Sequence, residues 1–181
     1  APQAVQLFIL GVGLLLKPFN INTLVSWLYS PIHPISGLLR YKLGDTVCGS
    51  GGFFNENCRQ VIDNYIKEHP NEKDLINKFL PNQADYIGEE HCVDRGRIIV
   101  MVESLKSWAN QRAILLTEEN EGDVRIEQLY ALAEMCDMLM LLLEDEKEDA
   151  IDIEMLDSMM CNIYKEVSFS QYQPQAGCRF C

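Results

Sequence analysis

Seven cysteines and three histidines are the residues in this chain with the most chemical reach, and their spacing decides what they could do. Cys178 and Cys181 stand two residues apart, the spacing with which a single turn of backbone grips one metal ion. His91 and Cys92 would supply the remaining ligands of a tetrahedral zinc site from a distant loop, although neighbouring residues cannot easily both turn toward one ion. The motive for a staple is the tail itself, where Pro174, Gly177 and little apolar content leave the chain no other means of order. Structural zinc is therefore the one cofactor the sequence suggests; nothing in it calls for another.

For a thiol nucleophile the first requirement is a base, and Cys48 could find one in His33, His69 or His91 only if the fold gathers them. No cysteine-hydrolase signature surrounds any thiol, no serine sits in a Gly-x-Ser-x-Gly elbow, and no His-Glu-x-x-His helix is present. Gly49, Ser50, Gly51 and Gly52 have the small side chains of a phosphate-binding loop but lack the Lys-Ser/Thr of a P-loop and the glycine spacing of a dinucleotide fold. Catalysis is not the expectation. A Cys48–histidine enzyme stands only as an alternative.

Binding fits the pattern better. Six methionines, Met135, Met138, Met140, Met155, Met159 and Met160, fall in two neighbouring apolar segments. Flexible thioethers fill irregular cores, and on a surface they adapt to a partner helix. Met155, Met159 and Met160 are the candidate contacts. Further back, the run from Val93 to Val100 resembles the Asn-Trp-Gly-Arg segment that opens the central helix of Bcl-2-type apoptosis regulators. The likeness covers about eight residues: Gly96 and Arg97 match, while Asp94 and Arg95 stand where that family has Asn and Trp. The family's death motif is not clean, since Leu39 precedes Gly44 and Asp45 by one position too many. The resemblance implies a hydrophobic groove in which Arg97 pairs with an aspartate of a partner helix.

Charge narrows the partners. Fifteen basic residues against twenty-seven acidic ones give a net charge of -12, a field that repels nucleic-acid phosphates and anionic lipid. Arg95, Arg97, Lys106 and Arg112 form the best basic cluster, with Glu103 set among them. Nucleic acid is not expected as a partner; another protein is. An odd number of dispersed thiols, two of them on apolar helical faces (Cys58 and Cys136), favours a reducing, intracellular setting.

The elements that must position these residues read as helices. Val5 to Leu16 is apolar but for Gln6, too short to cross a bilayer, and broken by Lys17 and Pro18. A buried core helix is the preferred reading; an anchor over residues 5–29 that makes a membrane-associated subunit is the alternative. Asn20 or Asn22 caps a short helix that Pro31 and Pro34 end, and Asn55 or Asn57 caps one carrying Cys58, Val61, Ile62 and Tyr65. Residues 35–47 suit a helix or a strand equally. Residues 48–52 and 82–93 read as loops. Asp94 and Asp123 open two long helices, Ile98 to Leu116 and Val124 to Leu143, and a last one places Ile151, Met155, Leu156, Met159, Met160 and Ile163 on one face. Glu127, Glu134, Asp137 and Glu144 trace a solvated stripe on the second long helix.

Together these elements predict an all-α, single-domain bundle of about six or seven helices, over residues 1–167, with an irregular tail over 168–181. The function they predict is a non-enzymatic protein–protein interaction or regulatory module.

Overall fold

The computed structural model describes residues 3–172. The chain is 73% helical, with eight α-helices and one two-stranded sheet among the described residues. The expected all-α bundle is correct. In chain order the elements are α1 (Gln3–Gly13), α2 (Ile21–Leu28), α3 (Gly37–Ser50), α4 (Glu56–Glu68), α5 (Lys73–Phe79), β1 (Cys92–Asp94), α6 (Arg95–Glu119), α7 (Arg125–Glu144), β2 (Ala150–Asp152) and α8 (Ile153–Tyr172).

The centre is the hairpin of α6 and α7, the most extensive pairing in the molecule. Ile98, Val102, Leu105, Ala109, Ala113 and Leu116 recur at three- and four-residue steps on α6 and are fully buried. Leu132, Met135, Cys136, Leu139 and Leu143 answer them from α7. On this hairpin lies α1, packed against α7, α2 and α6 with Ala4, Val5, Leu7, Phe8 and Val12 buried. The apolar N-terminal stretch is thus a core helix, and no described helix is long and apolar enough to cross a membrane.

Caps follow the sequence reading closely. The Asn20 side chain accepts from the Asn22 and Thr23 amides at 2.9 and 3.3 Å, Asn55 from Cys58 at 3.0 Å, and Asp94 from Gly96 at 2.7 Å. Asp123, the expected cap of α7, lies one residue before the observed cap Val124, and its side chain accepts from the Arg125 amide at 2.9 Å.

The structure settles one open stretch and corrects three readings. Of residues 35–47, undecided between helix and strand, those from Gly37 on belong to α3, which raises the helix count to eight. The Cys48–Gly52 stretch is not a free loop: α3 continues to Ser50 and ends on Gly51, whose φ of 70° places its amide on the Val47 carbonyl at 2.9 Å. Ile151 lies on a strand rather than a helix face, with β1 and β2 antiparallel in the register Val93 to Ile151. This pairing fastens the start of α6 to the start of α8. The helix α8 itself runs to Tyr172, past the Ser168 at which the sequence turns irregular.

One internal device has no counterpart in the sequence reading. Arg40, buried on α3, donates to the carbonyls of Leu28, Ser30 and Ile35 at 2.7, 2.8 and 2.8 Å. It satisfies the end of α2 and the proline-rich turn after it, where backbone acceptors would otherwise be orphaned.

Candidate functional site

The thiols lie apart from any base. Cys48 is exposed near the end of α3, and no hydrogen bond joins it to a histidine among the described residues. His33 is occupied as an acceptor for the Ile35 amide, and His69 stacks on Tyr65 with ring centroids 4.2 Å apart. Burial raises the pKa of the Cys58 thiol and pushes that of Cys136 up to about 12, so both are poor nucleophiles. Cys92 is half-buried on β1 and His91 is exposed beside it. Among the described residues no three His, Cys, Asp or Glu side chains come together to hold a metal. Cys178 and Cys181 lie outside the described residues.

Three of the four basic side chains of the sequence cluster face carboxylates. Arg95 donates to the Glu146 carbonyl at 3.0 Å and lies 3.8 Å from Asp149, serving the C-terminal end of α7 as cations there do. Lys106 pairs with Asp137, which keeps this acid at the half-exposed edge of the α7 stripe. Arg97 faces Asp85, and Arg112 makes no contact ion pair or hydrogen bond among the described residues.

Arg97 stands in a groove of about 580 Å³ whose apolar lining includes Leu14, Leu15, Phe79, Tyr86, Val100 and Met101. Its guanidinium donates to the Asp85 carbonyl oxygen at 2.9 Å, lies 3.6 Å from the Asp85 carboxylate, and sits 5.7 Å above the Tyr86 ring. Tyr86 donates to the Leu14 carbonyl, and burial pushes its hydroxyl up to about 12 against the opposing pull of Arg97. Both partners belong to a 3₁₀ turn, Gln83–Tyr86, in the stretch read as a loop. Asn82, whose side chain accepts from the Ala84 amide at 3.2 Å, was the available sign of order there. An outside aspartate would have to displace Asp85 to reach Arg97.

The methionines divide. Met159 is buried, Met155 is 41% exposed, and Met160 lines a second groove of about 440 Å³ between α1 and α8. Ile9, Val12 and Leu16 form one wall of this groove, and Ile153, Leu156 and Met160 the other. Glu154 and Asp157 stand exposed beside it, and neither pairs with a cation among the described residues. Ile9, at 45% exposure, is the apolar side chain of α1 left facing outward. The sequence carried only half a signal for this site: Glu154 and Asp157 share a turn with no lysine or arginine beside them, whereas Ile9 sits in an unbroken apolar run that does not mark it as exposed. Comparison with family models, curated proteins and solved structures found no match.

Proposed function

We propose that this protein is a non-enzymatic interaction module that receives an apolar, basic segment of another protein in the groove between α1 and α8. The observation that carries this reading is an open apolar trough, walled by Ile9, Leu16 and Met160, with two carboxylates on its edge that pair with no cation among the described residues. Apolar anchors set into such a trough supply affinity, and rim charges of complementary sign steer the approach and select the partner. A net charge of -12 favours the same sign of partner over long range. Met160 lets the wall adapt to anchors of differing shape.

The test uses a fluorescent amphipathic peptide of leucine and lysine, its glutamate-for-lysine counterpart, and anisotropy titration. The lysine peptide should bind and the glutamate peptide should not. Ile9→Ser and Asp157→Lys should each weaken binding by about tenfold, about 1.4 kcal/mol, whereas reversing the remote Glu127 should leave it unchanged. Equal losses from Glu127 and Asp157 would mean that the peptide follows net charge alone, and the groove reading would fall. An acidic amphipathic helix that binds only when Asp85 is changed to Asn would instead favour the Arg97 groove.

A further inference from the structure

We infer that the outward face of α3 is a self-association surface, on which two copies of this chain pair antiparallel about a two-fold axis midway between Lys42 and Asp45. Leu38, Lys42, Asp45 and Gly49 follow one another at helical steps of four, three and four residues, with Tyr41 beside them, and all five are exposed. Leu38 is 67% and Tyr41 54% exposed, large fractions for apolar side chains on a core helix. Tyr29 at the end of α2 widens the patch, its ring centroid 5.7 Å from that of Tyr41. None of these residues lines either groove.

Charge identifies a second copy as the occupant. A two-fold interface joins one patch to itself, so each feature must find its complement within the patch. Lys42 and Asp45 supply such a pair: neither forms an ion pair among the described residues, and Asp45 accepts only a long hydrogen bond, 3.4 Å, from the Tyr29 hydroxyl. An axis between them sets Lys42 of each copy against Asp45 of the other. The same register sets Leu38 against Gly49, where even a Cβ would meet nothing within 4 Å, so the leucine has room to seat. Apolar contact then supplies affinity, and the two ion pairs fix register and direction. The distribution of charge favours this face as well. Asp45 is the sole acid among residues 1–55, where Lys17, Arg40 and Lys42 also lie, so two molecules of net charge -12 meet here through a helix that is not acidic. With 14 residues, α3 is about 21 Å long, too short for an interface of standard size, and the pairing is therefore weak and reversible.

Sedimentation equilibrium of the full chain, in about 0.15 M salt so that a Debye length of about 8 Å limits the general repulsion, reads the pairing directly. Between about 10 μM and 1 mM, the range of a small transient interface, the average mass should climb toward twice that of the monomer. Leu38→Glu should abolish the rise with the melting temperature kept. Lys42→Asp and Asp45→Lys should each weaken association at least about tenfold, yet an equimolar mixture of the two variants should associate again, because in the mixed pair every reversed charge faces an opposite one. That rescue is beyond the reach of a variant that merely loosens α3. A chain that stays monomeric throughout the range overturns the proposal, as does a dimer that survives Leu38→Glu and disappears with Ile9→Ser in the α1–α8 groove. Association that strengthens in Asp45→Lys alone would follow net charge and not this register, and would overturn it too.

Discussion

His33 makes the stability of this protein respond to acid. Burial, with Arg40 nearby, holds its imidazole down at about 2 from an ordinary 6.5. Between those values the unfolded chain takes up a proton that the folded chain refuses, so unfolding binds protons and is favoured as pH falls. Stability contributed by the neutral ring is complete above pH 6.5 and declines below it by up to about 1.4 kcal/mol per pH unit. His33→Asn keeps an acceptor for the Ile35 amide and removes the titration. Urea unfolding of both proteins between pH 7 and 5 should give a flatter pH dependence for the variant, and parallel curves would show that His33 titrates normally in the fold. The sequence could not reveal this environment, because Pro31, Ile32 and Pro34 around His33 mark a turn and say nothing of what closes over it.

At the scale of elements, periodicity and caps were legible and junctions were not. Asn20, Asn55 and Asp94 cap the helices expected of them because a cap needs only a short polar side chain and the next two or three amides. Arg40 was invisible: its three acceptors come from residues five to twelve positions away, a distance no local pattern encodes. The pairing of β1 with β2 was missed for the same reason, since residues 92–94 and 150–152 are joined only through the whole α6–α7 hairpin. The candidate grooves are likewise long-range products, one joining Ile9 to Met160 and the other Leu14 to Arg97. Arg40 also gives a sharp expectation. Arg40→Met keeps the apolar stem but strands three carbonyls, which should cost about 3 kcal/mol and lower the melting temperature by about 10 °C. Arg40→Lys should recover only part of this, because one ammonium cannot span acceptors served by both Nε and Nη1. A melting temperature unchanged in Arg40→Met, followed by circular dichroism, would show that water satisfies those carbonyls instead.

Across the whole molecule, α1 joins the core to the proposed binding surface, and adjacent residues divide the two duties. Phe8 is 1% exposed within the bundle, whereas Ile9 is 45% exposed and lines the α1–α8 groove. A helix advances about 100° per residue, so neighbours along α1 face different surroundings. Phe8→Ala should therefore leave a cavity beneath the hairpin and cost about 3–5 kcal/mol, a large fraction of the stability of an ordinary domain. Ile9→Ser should change stability by under about 1 kcal/mol while weakening the lysine peptide. Urea denaturation of both variants, set beside their anisotropy titrations, separates the roles: α1 is a bridge between core and surface if stability and binding respond to different residues. If both substitutions destabilise equally, Ile9 is a core residue and the groove closes in solution. If neither does, α1 is dispensable to the bundle, and the packing against α2, α6 and α7 contributes little to holding the molecule together.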